Sequence, residues 1–241
     1  MKNMSIKKVS ILALSVIAMS SCSNDSSGNG SGSVAFKASS ASTPSGKSAL
    51  TSAVVYNDFK INIGKIKLET DAEDQMHGSD PLHEDVKLNG PFLLDLMDPN
   101  QTLSQFITSV TVPNAKYEEI KFQFEKSTVA GEMFDKTFLI KGTINGKAFA
   151  LWSTKNIEVK TDFDDNAKDF TIHGNNASID IKLRLDALTA KLIDLDSQSL
   201  LIDLDGDGVI EISTDNEDGN HDLGDLLREL LENNTHLNDV D

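Results

Sequence analysis

Apolar residues alternate with polar ones along much of this chain, and this period of two constrains its fold more than any other feature. The alternation is clear over residues 59–68, 120–124, 138–151 and 179–185. Segments of this kind form strands that bury one face and expose the other. Asn145-Gly146 interrupts one run, and both residues tolerate the positive φ that a tight hairpin requires. Seven or more such strands, with no strand–helix rhythm between them, predict an all-β fold, an antiparallel β-sandwich.

Helical patterns are confined to the last quarter of the chain. Residues 186–194 favour one short helix. Further on, five leucines recur at i, i+3, i+4, i+7 and i+8, which places them on one face of a helix: Leu223, Leu226, Leu227, Leu230 and Leu231. The sequence therefore predicts a short C-terminal amphipathic helix that packs against the sandwich.

The N-terminus has the order of charge and hydropathy of an export signal. Three lysines precede an apolar run over residues 11–19, and two serines then precede Cys22, the only cysteine. The run is much shorter than the ~20 residues that span a bilayer. The ending resembles a bacterial lipobox, which implies a lipoprotein signal peptide over residues 1–21 and acyl chains, such as palmitate, on Cys22. An ordinary secretory signal is the alternative.

Composition divides the remainder of the chain into two parts. Residues 22–47 are rich in Ser and Gly and are predicted to be a flexible tether after the lipidated cysteine, within which residues 34–37 favour one short strand. Residues 48–241 are predicted to form the sandwich domain, including an acidic C-terminal loop and the helix. The formal charge of the chain is −16, and loss of the three lysines of the leader takes it to −19. This sign excludes nucleic acid as a partner and favours cationic partners or metal ions.

Four segments carry a resemblance to a known family. They are residues 59–69, 90–96, 112–122 and 141–149, in that order. Their arrangement resembles exported lipoproteins of the Bacteroidota group, whose domain of unknown function is thought to be a transthyretin- or immunoglobulin-like sandwich. The resemblance implies a fold and a place in the cell envelope. Its motifs are turn glycines and alternating strands, so it implies no catalytic residue.

An acidic segment near the C-terminus is the strongest candidate for a site. An EF-hand loop takes oxygen ligands at positions 1, 3, 5, 7 and 9, Gly at position 6 and a bidentate carboxylate at position 12. Gly208 falls at position 6, but position 12 is Thr214, with a carboxylate one residue later. The sequence predicts a Ca²⁺ site with these ligands: Asp203, Asp205, Asp207, Val209 through its carbonyl, Glu211 and Asp215. The alternative is a solvated acidic turn that binds no ion.

Sequence motifs for catalysis are weak by comparison. The chain has no Gly-x-Ser-x-Gly motif, and one Trp and two Tyr give little material for a sugar-binding cleft. We therefore expect no enzyme but a non-catalytic binding or structural module, attached to the outer membrane through acyl chains on its periplasmic or cell-surface face. Its partner would be an envelope protein or an extracellular polymer. A secreted glycan-acting hydrolase that uses paired carboxylates is the alternative.

Overall fold

The computed structural model describes residues 30–41, 53–70, 85–97, 104–162, 170–215 and 218–238. Cys22, the predicted signal peptide and most of the predicted tether lie outside these residues. Two helices lie in the described part, α1 (Asp186–Ser197) and α2 (His221–Asn233). Its strands are β1 (Ser31–Ala41), β2 (Val54–Thr70), β3 (Val86–Asp95), β4 (Ser104–Pro113), β5 (Lys116–Phe124), β6 (Phe138–Ile144), β7 (Lys147–Ser153), β8 (Ile157–Asp162), β9 (Phe170–Thr171), β10 (Asn176–Arg184), β11 (Val209–Ile212) and β12 (Thr235–Asn238).

The strands form two sheets, and the prediction of an all-β sandwich is confirmed. The small sheet has the order β12-β10-β1-β4. The large sheet has the order β11-β7-β6-β2-β5-β8, with β3 added to β2 and β9 to β5. Most pairings are antiparallel, as expected, but β1 lies parallel to β10 and β11 lies parallel to β7. Both sheets are therefore mixed.

One hydrophobic core lies between the sheets. Its members come from alternate positions of the strands, as the period-two pattern requires. Phe36 of the small sheet meets Phe122 of the large sheet edge-on, with ring centroids 5.9 Å apart. Both rings are fully buried. This contact ties the two layers together near the middle of the molecule.

The first strand lies inside the segment that the sequence predicts as a tether. Val34, Phe36 and Ala38 of β1 are fully buried, and β1 sits between β10 and β4. The predicted boundary at residue 48 is therefore wrong, and the folded body begins by Ser31. Ser, Gly and Ala make up most of β1 and give it the composition of a linker, so the short strand favoured at residues 34–37 extends in the structure over Ser31–Ala41.

The predicted hairpin and helices are present. Asn145 and Gly146 have φ of 47° and 83°, the positive values of a type I′ turn, and connect β6 to β7. Leu227 and Leu231 of α2 are buried. Gly224 brings α2 so close to the end of β11 that a Cβ there would lie 2.5 Å from the Ser213 carbonyl carbon. No helix among the described residues is long and apolar enough to span a bilayer.

Candidate metal centre in the acidic loop

The acidic segment connects α1 to β11 and folds back on its own backbone. The Asp203 carboxylate accepts hydrogen bonds from the Gly206 and Gly208 amides, at 2.8 and 3.0 Å. Both glycines have positive φ, 77° and 92°, which residues with a side chain rarely adopt. The carboxylate of Asp205 accepts from the amide of Asp207 at 3.0 Å. Hydrogen bonds thus join Asp203, at the predicted first position, to Gly208, at the predicted sixth position, and close a tight loop.

A buried acid from the other side of β11 holds this loop in place. Asp218 is 2% exposed, and its two oxygens accept the Leu204 and Glu211 amides, each at 2.6 Å. Asn220, also buried, donates to the carbonyls of Ile202 and Glu211 at 3.0 and 2.8 Å. Backbone amides therefore compensate much of the cost of burying this carboxylate.

Three carboxylates converge at this point. One oxygen from each of Asp203, Asp205 and Asp218 lies within 4.8 Å of the other two. Two oxygens that each lie about 2.4 Å from one Ca²⁺ ion can be no more than about 4.8 Å apart, so the spacing fits a shared ion. An all-oxygen donor set suits a hard cation rather than a thiolate- or imidazole-seeking metal. Asp203 and Asp205 are exposed, which leaves room for water ligands.

The structure groups only two of the predicted side-chain ligands. Asp207 accepts a hydrogen bond from the Val209 amide at 2.7 Å and is outside the group of three. Asp215, expected one residue late at position 12, instead accepts from the Thr154 hydroxyl at 3.3 Å. Val209 and Glu211 lie in β11 and pair with β7. The calcium prediction itself stays a prediction.

Asp218 was not predicted as a ligand, because the EF-hand pattern assigns ligands by their position within one continuous loop. In the fold, β11 inserts a strand after the glycine turn, and the chain returns with Asp218 three residues before the first residue of α2, His221. The signal that could have identified it is the second acidic turn, Asp218-Gly219-Asn220, immediately before the leucine-rich helix. Gly219 has a φ of 75°, so this turn also depends on glycine.

A groove lies between the two sheets. It encloses about 390 Å³ where the end of β3 meets the start of β4. Its lining mixes apolar and polar side chains: Lys60, Leu93, Leu94, Asp95, Gln105 and Phe106. Among these six described residues Asp95 is the one acid, whereas the hydrolase alternative requires a pair of carboxylates.

The large sheet carries networks of ion pairs between neighbouring strands. Glu69 of β2 lies 2.8 Å from the Lys121 ammonium of β5 and also pairs with Lys67. Desolvation raises the pKa of Glu69, but hydrogen bonds from these two lysines outweigh it and lower the pKa to about 2. Glu132 crosses the neighbouring part of this sheet to contact Lys60 and Lys141, which likewise hold its pKa at about 2.

Comparisons with known proteins give no relative. No family model matches the chain, and no curated protein or solved structure matches it. The class that the fold defines is a mixed two-sheet β-sandwich with two short helices. The resemblance to Bacteroidota lipoproteins stays a prediction.

Proposed function

We propose that this protein is a lipid-anchored lipoprotein of the outer membrane that acts as a non-catalytic binding or structural module of the cell envelope. The observation that supports it most is the arrangement around Cys22: a basic and apolar leader precedes it, and a folded body follows closely. Eight residues separate Cys22 from Ser31 of β1. Such a segment spans at most about 30 Å, so the sandwich would work close to the membrane, on its periplasmic or cell-surface side.

The lipid anchor is tested by Cys22→Ser in the full-length protein. We expect the parent to stay in the membrane fraction after carbonate extraction and the variant to be released, since the acyl chains would be lost. Ser21→Thr, which leaves the thiol in place, is the matched control. A Cys22→Ser variant that stays as firmly bound as the parent would contradict the anchor.

The acidic loop adds a Ca²⁺-binding role to this proposal. The convergence of Asp203, Asp205 and buried Asp218 supports it, as does the positive-φ glycine at the sixth position. An ion bound there would neutralise neighbouring carboxylates and join the loop to the turn before α2. Isothermal titration with Ca²⁺ should show binding in the parent and loss of it in Asp203→Asn/Asp205→Asn.

The non-catalytic role is tested against the hydrolase alternative. Turnover of any member of a panel of glycans and esters, abolished by one acid-to-amide substitution, would overturn our proposal. Under our proposal, cross-linking in intact cell envelopes should instead recover a protein or polymer bound to the sandwich domain. This partner should be recovered from cells that make the parent protein and not from cells that lack it.

A further inference from the structure

A row of exposed apolar side chains leads into the acidic loop. Leu200, Ile202 and Leu204 are 44%, 46% and 68% exposed, whereas Leu201 between them is 7% exposed. Leu201 therefore turns to the core between two exposed neighbours, as in extended backbone, whereas Asp203, which follows Ile202, is exposed as well. Three large apolar side chains at alternate positions are thus exposed within five residues, and we name them the leucine row (Leu200, Ile202, Leu204). Such rows mark contact surfaces more often than isolated apolar residues do.

The backbone of this segment is held on one side only. The Ile202 carbonyl accepts from Asn220, and the Leu204 amide donates to Asp218. The backbone groups of Leu201 and Asp203 point the opposite way in an extended chain, and no described residue hydrogen-bonds to them. The segment therefore resembles the edge of a sheet that Asp218 and Asn220 have completed on one side, with its other edge open to an added strand.

The negative charge beside the leucine row favours a partner strand that carries positive charge. Asp203, Asp205 and Asp207 are all exposed directly after the leucine row. Residues 203–241 carry thirteen acids and one Arg in a chain of net charge −16. These carboxylates accept hydrogen bonds from backbone amides, but an acidic or neutral apolar segment would bring them no opposite charge. Lys or Arg side chains would form ion pairs with them.

We infer that the leucine row and the three aspartates beside it dock an extended segment of a partner protein in which apolar residues alternate with Lys or Arg. The apolar side chains of the partner would cover the leucine row, and its backbone would hydrogen-bond to Leu201 and Asp203. The cationic side chains would meet Asp207 and, when no Ca²⁺ occupies the loop, Asp205. This inference rests on the binding role proposed above and gives the chemistry of the partner.

The test uses the full-length lipidated protein in nanodiscs of neutral lipid, with empty nanodiscs subtracted and a chelator present. The probe is a fluorescent eight-residue peptide of alternating Lys and Leu, followed by anisotropy. We expect saturable binding of the peptide that weakens as the salt concentration rises. In Ile202→Ser/Leu204→Ser the affinity should be at least about tenfold lower. A tenfold change in affinity corresponds to about 1.4 kcal/mol, which is of the order of the contribution of one buried apolar side chain. Asp205→Asn/Asp207→Asn should reduce the salt dependence.

Matched controls make the result decisive. Phe134→Ser removes an apolar side chain of similar exposure, 59%, from the loop between β5 and β6 and should leave binding unchanged. Peptides of alternating Lys and Ser, or Glu and Leu, should bind much more weakly. Equal affinity for Ile202→Ser/Leu204→Ser and the parent would overturn the docking surface, as would equal affinity for the Glu-Leu peptide. The peptide assay is done in chelator, so it does not depend on Ca²⁺ binding, and membrane attachment is tested separately with Cys22→Ser. A negative peptide result would therefore contradict the docking surface without contradicting the proposed function.

Discussion

At the scale of single residues, Ser199 is held in a conformation that suits glycine. Its φ is 58°, and it ends α1 in a Schellman-like turn, with the Leu200 amide bonded to the Leu195 carbonyl at 3.0 Å. A left-handed conformation costs a residue with a Cβ roughly 1 kcal/mol. Ser199→Gly should therefore raise the free energy of unfolding by about 0.5–1 kcal/mol, measured by urea denaturation. Gly146→Ala, at φ 83°, should lower it. A destabilised Ser199→Gly would show that the serine side chain contributes more than its backbone strain costs.

Glu69 gives the fold a dependence on pH. Its pKa of about 2 lies below the ordinary value of 4.5, so the folded state favours the ionised carboxylate. This contribution is present above pH 4.5 and is lost as the pH falls from 4.5 towards 2. At pH 6, Glu69→Gln should be less stable than the parent by about 1 kcal/mol, a value typical of a half-exposed ion pair.

The gap in stability between the two proteins should narrow as the pH falls to 2, where about half of the parental Glu69 carboxylates are protonated in the folded state. The measurement is urea unfolding at pH 6, 4 and 2. Glu158→Gln, which alters an exposed side-chain contact with Gln123 on the same face, is the control and should show a smaller difference from the parent. A constant gap between Glu69→Gln and the parent at every pH would contradict the role of ionisation.

At the scale of elements, helix α2 is positioned by the absence of a side chain at Gly224. Helix propensity alone would favour Gly224→Ala by up to about 1 kcal/mol. A Cβ 2.5 Å from the Ser213 backbone would instead push α2 away from β11, at a cost of about 1–3 kcal/mol. We expect a net loss of stability in urea unfolding, whereas Glu229→Ala on the exposed face of α2 should change little. A gain in Gly224→Ala would mean that α2 is not docked this closely.

The elements that the sequence predicts well are those with local causes. The turn at Asn145-Gly146 and the leucine stripe of α2 depend on residues a few positions apart, and both are present. Strand β1 was predicted only over residues 34–37, because the serines on either side of them resemble a linker. The parallel pairings of β1 with β10 and of β11 with β7 join segments remote in sequence, and no local pattern specifies them. Asp218 was missed for the same reason: its contact with the loop exists only after β11 has formed.

At the scale of the whole molecule, the acidic loop belongs to a segment that joins both sheets. After the loop, β11 adds to the edge of the large sheet beside β7, and β12 adds to the edge of the small sheet beside β10. Helix α2 lies between these two strands in sequence and buries Leu227 and Leu231 in the common core. An ion that fixed Asp203, Asp205 and Asp218 would therefore stabilise the closure of the entire sandwich.

Thermal unfolding of the full-length protein, in Ca²⁺ and in chelator, tests the calcium-stabilised account most directly. At a free concentration about tenfold above Kd, an ion that binds only the folded state adds about 1.4 kcal/mol. For a body of this size, that corresponds to about 3–6 °C in Tm. We predict this rise with Ca²⁺ for the parent and for Asp135→Asn/Glu158→Gln, and no rise for Asp203→Asn/Asp205→Asn. An unchanged Tm in the parent, or an equal rise in Asp203→Asn/Asp205→Asn, would contradict it and leave a solvated acidic turn.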